Sequence, residues 1–158
     1  MWIYDDKKIR GIDQVPSDAI GFIYCITNLS KDKMYIGKKS LYHWKKVGVK
    51  RFQELKLEGA EVRRHKNKRK SKKGLPVWVH KAKLESEWQL YTGSNVELNK
   101  DIEEGDQFEK HIWEFSSCEK KLSYLETEAQ FKMDVIRDNG KYYNGNILGR
   151  YFPNDLNC

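Results

Sequence analysis

Residues 21–40 read GFIYCITNLSKDKMYIGKKS, in which two runs rich in aromatic and β-branched residues flank a polar stretch, NLSKDK. Phe22, Tyr24 and Ile26 alternate with Ile23, Cys25 and Thr27, the period of a strand, and the polar stretch supplies turn chemistry. A β-hairpin is therefore the element around which the rest of the chain has to fold. An isolated hairpin is marginal in water, so further strands are needed. The run QFEKHIWEF, residues 107–115, has the composition of a third strand packed beside the hairpin. Each hairpin strand sets a tyrosine, Tyr24 or Tyr35, close to a glycine. Aromatic residues are at home in strands, so these two phenols require no chemistry on their own.

With 158 residues, 39% of them hydrophobic and 13% aromatic, the chain can bury a real core in spite of its 34% charged residues. One domain over residues 1–158 is the expectation. The stretch EVRRHKNKRKSKKGLPVWVHKAK, residues 61–83, sets ten Lys or Arg against the single acid Glu61, and is expected as a basic insertion whose first half is a mobile loop. The net charge of +7 favours an anionic partner, nucleic acid before an acidic membrane surface. No apolar run is long enough to span a bilayer, and residues 1–18 lack the apolar core of a signal peptide, which sets the expectation of a cytoplasmic protein. Cys25, Cys118 and Cys158 form no C-x-x-C pair, so free thiols are expected and a zinc ribbon is disfavoured. His43, His65, His80 and His111 are equally scattered.

Two helices are expected. One covers about 49–57 and stops at Gly59; the other covers about 119–137, with Ser116 or Ser117 as its N-cap. In the second, Leu122, Leu125, Ala129, Met133 and Ile136 follow the three-four spacing of a buried stripe. Glu126 falls at the border of that stripe, where a carboxylate needs a cation or a donor. Glu128 flanks a second patch of Tyr124, Phe131 and Val135 and competes with it for any functional role. The fold class is α+β, a small three-stranded antiparallel sheet flanked by helices.

The pair GFIY and MYIG around a polar turn resembles the motifs that name the GIY-YIG nuclease superfamily. YIGKKS, EW..YTGS, YLETEAQF and YYNGNI look most like its phage-borne Seg-type, homing-endonuclease-like branch, over about residues 21–152. The resemblance implies a metal-dependent DNA endonuclease hydrolysing phosphodiester bonds with one divalent ion, Mg²⁺ or Mn²⁺. It also implies a duplex DNA partner, with a homodimer on DNA as one route to cutting both strands. By position it assigns Tyr24 and Tyr35 beside the phosphate, one of them a phenol of lowered pKa, with Glu126 as metal ligand and Asn144 near the site. The first motif is Gly-Phe-Ile-Tyr, one residue longer than the family name spells. Relatives carry an arginine just after the second motif, whereas this chain offers Lys38, Lys39, His43, Lys45 and Lys46 before Arg51. Lys39 is taken as the phosphate cation and His43 as its accessory. Lys38, Lys45, Lys46, Arg63, Arg64, Lys68 and Arg69 are expected to contact DNA. The missing arginine leaves an alternative, a non-catalytic nucleic-acid-binding protein that retains the fold.

Overall fold

The computed structural model describes residues 1–70, 74, 76–138 and 140–147, with the backbone alone at 68–70 and 76. In chain order these form β1 (Trp2–Tyr4), β2 (Lys7–Ile9), a 3₁₀ turn (Ile12–Gln14), β3 (Gly21–Asn28), β4 (Lys33–Ser40), β5 (Tyr42–Lys46), α1 (Val49–Leu57), β6 (Val62–Lys70), β7 (Pro76–Glu85), α2 (Val96–Glu103), β8 (Phe108–Ser116) and α3 (Glu119–Lys132). The architecture is α+β, divided into two compact units, one of residues Met1–Leu41 with the chain from Glu87 onward, the other Tyr42–Ser86.

In the first unit the expected hairpin is present, β3 and β4 pairing antiparallel from Gly21↔Ser40 to Asn28↔Lys33. β8 pairs with the other edge of β3, as its composition led one to expect. The sheet is larger than three strands, however. Its order is β2-β1-β8-β3-β4, and β1 runs parallel to β8, so it is five-stranded and mixed. Strands of three residues carry too little periodicity to be read from sequence; burial of Trp2 is what holds them. The Trp2 ring is fully buried, edge-on to Phe22 and Tyr24 at 5.1 and 5.3 Å between centroids, and its Nε1 donates to the Trp88 carbonyl at 2.7 Å.

Helix α3 packs on the face of the sheet that carries Cys25 and Ile36, but its end differs from expectation. The N-cap is Cys118, whose side chain makes no capping hydrogen bond, and the helix stops at Lys132. Asp134 adopts a left-handed φ of 51°, which turns Val135 into the core with Cys25, Ile36 and Tyr142. Leu122 is buried as expected, whereas Met133 and Ile136, assigned to the stripe, are exposed because the helix has ended before them. Cys25 is a buried free thiol, but Cys118 stands in a disulfide, contrary to the expectation of free thiols throughout.

In the second unit β5, β7 and β6 form an antiparallel sheet in the order β5-β7-β6. Helix α1 spans the expected residues, and Gly59 follows it at φ 80°, the left-handed stop that glycine allows. Phe52 and Leu55 carry α1 onto the sheet, Phe52 edge-on to His80 at 4.8 Å, with Leu55 and Ala82 buried. The first half of the basic run, expected as a loop, is strand β6, paired with β7 from Val62↔Ala82 to Lys66↔Trp78. Alternation sends neighbouring cations to opposite faces, which relieves their repulsion. Aromatic rings then receive them: the Arg63 guanidinium lies 4.0 Å from the Trp44 ring centre and that of Arg64 3.8 Å from Trp78. The side chains of Lys68 and Arg69 lie outside the described residues.

Candidate active site

Strand β4 is an edge of the five-stranded sheet, so alternate residues along it turn their backbone N–H and C=O outward with no strand to receive them. At Ile36 those two groups meet one side chain. Asn144 Oδ1 accepts from Ile36 N at 3.0 Å, and Asn144 Nδ2 donates to Ile36 O at 2.8 Å, an arrangement in which the amide imitates a neighbouring strand. Gln130 Nε2 from α3 donates to the same carbonyl at 3.1 Å. The Asn144 segment is held upstream by Tyr143, whose hydroxyl donates to Asp101 Oδ2 at 2.6 Å and accepts from Asn28 Nδ2 at 2.9 Å.

Around this capped edge opens a cleft of about 370 Å³ lined by Tyr35, Lys38, Ser94, Asn95, Glu126, Gln130, Asn144, Gly145 and Asn146. It is polar, and all of its lining comes from the first unit. Lys38 Nζ stands 3.2 Å from Glu126 Oε2 and donates to Ser123 Oγ at 2.6 Å. Both charged side chains remain partly exposed, Lys38 at 34% and Glu126 at 22%, so a ligand entering the cleft can reach them. Glu128 pairs with Lys132 at 3.0 Å and lines a separate groove beside Trp113 and Met133. Of the two glutamates, then, Glu126 is the one in the cleft.

Tyr35 shares a hydrogen bond with Ser94 Oγ at 2.9 Å. Tyr24 lies behind it, 1% exposed, and hydrogen-bonds Tyr91. Gly37 and Gly93 make room for these rings: a Cβ on Gly37 would stand 2.6 Å from the Tyr24 hydroxyl, and one on Gly93 3.0 Å from the Tyr35 ring. Burial pushes the Tyr24 phenol well above its ordinary pKa, and burial likewise raises Tyr35. Desolvation is the largest influence on both rings and acts against the lowering expected from nearby cations, of which Lys38 is paired with Glu126.

Lys39 sits on the opposite side of β4 from Lys38, its Nζ 4.1 Å from the Tyr91 ring centre, and burial lowers its pKa. It is not among the cleft residues; the cation that lines the cleft is Lys38. His43, Lys45 and Lys46 lie exposed on β5 of the second unit, and Arg63 and Arg64 on its β6. Tyr91, Gln130 and Ser123 complete the hydrogen bonding around the site, and sequence reasoning did not single them out. Tyr91 and Gln130 stand within the quoted EW..YTGS and YLETEAQF runs, but nothing in their spacing distinguishes them from core or surface residues.

The sequence model of a family described as "Putative endonuclease segE, GIY-YIG domain" matches residues 2–147. This chain belongs to the GIY-YIG family, in its SegE branch. Neither a curated protein nor a solved structure matches it. In this GIY-YIG domain the YIG glycine is Gly37, which admits the Tyr24 hydroxyl, and the tyrosines of both motifs lie on one face of the hairpin, their ring centres 6.2 Å apart. Among the described residues no three His, Cys, Asp or Glu side chains converge on a metal site, and no helix is long and apolar enough to cross a membrane.

Proposed function

We propose that this chain is a metal-dependent endonuclease that hydrolyses phosphodiester bonds of duplex DNA in the cleft beside β4. The observation that carries this reading is the convergence of a phenol, a cation and a carboxylate, Tyr35, Lys38 and Glu126, in one polar cleft of a GIY-YIG domain. On this reading residues 1–158 act as one nuclease carrying the 42–86 unit as an insertion. The protein works in the cytoplasm, that of the host if it is phage-encoded, and a homodimer would place a second cleft on the other strand.

The donor set fits a hard divalent ion. Mg²⁺ and Mn²⁺ are held by one or two carboxylates with waters and substrate phosphates completing the shell, and Glu126 supplies one carboxylate in a cleft with room for the rest. Such an ion, when bound, supplies Lewis-acid stabilisation of charge on the phosphate. Lys38 exchanges its pairing with Glu126 for a phosphate oxygen, as a point charge in place of the family's bidentate arginine. Tyr35, protonated at neutral pH, orients the attacking water or donates to phosphate in place of Ser94. Tyr24 and Tyr91 hold Tyr35 in position, and Asn144 acts by fixing β4 at Ile36. His43 and Lys39 take accessory contacts to DNA outside the cleft.

The binding-only alternative is favoured by one observation, that Lys38 already neutralises Glu126. Supercoiled plasmid incubated with the protein and Mg²⁺ or Mn²⁺ separates the two. Nicked or linear product from wild type, lost in Glu126→Gln, supports the endonuclease. Undigested plasmid with undiminished DNA binding supports the alternative.

A further inference from the structure

The sheet of the second unit is unevenly built. β5 pairs with β7 only from Lys81 to Glu85, whereas β6 continues along β7 to Lys66↔Trp78 and on to Lys70↔Pro76. Past His80 the unit is therefore a two-stranded antiparallel ribbon extending beyond the third strand. Its described residues include Arg64, His65, Lys66, Trp78 and Val79, and no acid occurs between Glu61 and Glu85. Edge lysines are a known defence against strand-to-strand aggregation, and that role would account for the charge. It does not account for the tryptophan. Trp78 is 40% exposed, yet the Arg64 guanidinium carbon lies 3.8 Å from its ring centre and Lys66 Nζ 5.6 Å from the same centre. A guanidinium held against an aromatic ring keeps its N–H donors in a rigid planar fork, with less freedom to lose when it meets a partner.

We infer that this ribbon is a DNA-recognition element that enters the major groove of duplex DNA, with Arg64 on Trp78 as its preset donor. The inference rests on the endonuclease reading for its choice of DNA as partner. The major groove, about 12 Å wide, admits a two-stranded ribbon, and its guanine O6 and N7 edge matches an arginine fork. The uniform positive charge complements the phosphates on either wall of the groove.

The test uses the full chain in EDTA, where cleavage is absent, and follows binding to a labelled duplex over a range of salt. Arg64→Gln/Lys66→Gln should flatten the dependence of log affinity on log salt by about 0.9, for the phosphate that Lys66 neutralises, and should lower affinity at every salt concentration through the lost guanine contact of Arg64. Lys7→Gln/Lys8→Gln, an equal charge change on exposed β2, should leave it unaltered. Trp78→Leu should weaken binding several-fold at the same slope, because Arg64 loses the ring that presets it. Methylating guanine N7 in the duplex should weaken wild-type binding, a measurement that needs no variant. Equal slopes for the two double variants, indifference to N7 methylation, or equal affinity for single strands or anionic vesicles would overturn the proposal. A protein that passes these tests but leaves plasmid intact with Mg²⁺ or Mn²⁺ fails the endonuclease reading alone.

Discussion

Asn144 holds both backbone polar groups of Ile36 with one amide, accepting from the N–H at 3.0 Å and donating to the C=O at 2.8 Å. Both partners are buried, so Asn144→Ala leaves an unsatisfied N–H in the interior, and a loss of about 1–3 kcal/mol is expected. Asn144→Asp retains the acceptor but sets a carboxylate oxygen against the Ile36 carbonyl. Thermal unfolding of both variants should show lowered midpoints, and their cleavage rates should fall less than that of Glu126→Gln. Native stability in Asn144→Ala would remove the edge-capping role.

Glu126 and Glu128 are two residues apart on α3 and face different surroundings, the polar cleft and the groove beside Trp113. Glu126→Gln should lower the metal-dependent cleavage rate about a hundredfold to a thousandfold, the scale of losing one charge-stabilising group. DNA binding in EDTA should persist. Glu128→Gln should cleave near the wild-type rate, since it loses only a pairing with Lys132 at the surface. The reverse pattern would move the metal ligand to Glu128.

For the phenols, the two positions should separate by readout. Tyr35→Phe removes the hydroxyl that faces the cleft and should cost roughly a hundredfold in single-turnover rate with little loss of stability. Tyr24→Phe removes a buried hydroxyl bonded to Tyr91, and should cost about 1 kcal/mol in stability. Because burial raises Tyr35, any rate that depends on its phenolate should keep climbing with pH and show no plateau below pH 10. A plateau near neutrality that vanishes in Tyr35→Phe would mean that DNA or metal lowers this phenol.

Lys110 is buried, with Nζ donating to the carbonyls of Gln89 and Tyr91 at 2.9 Å each, and burial lowers its pKa from 10.5 to about 8. Between those values the unfolded chain holds a proton that the folded chain lacks, so Lys110 makes stability rise with pH from about 8 to 10.5. Below about 8 both states are charged and the dependence ceases. Denaturant unfolding at pH 8 and pH 9.5 should show that rise in wild type relative to Lys110→Met. An equal pH dependence in the two proteins would show that Lys110 stays charged on folding.

The hairpin, the third strand, the limits of α1 and the start of α3 follow from local patterning, because alternation, turn residues and helix spacing act over a few neighbours. Tyr24, Tyr35, Glu126 and Asn144 could be placed in order along the chain for the same reason, through the motifs that contain them. Tertiary packing decided the remainder. β1 and β2 are strands because Trp2 finds a buried slot beside Phe22, and a three-residue run cannot announce that. The charge density of residues 62–67 argued for a loop until the rings of Trp44 and Trp78, distant in sequence, received Arg63 and Arg64. Lys38 and Lys39 are indistinguishable as letters; the pleat of β4 sends one to Glu126 and the other to Tyr91. The sequence by itself determined which chemical groups the chain can bring to a site. Only the fold decided which of them share one cleft, because burial, register and edge position are properties of neighbours that the chain order does not contain.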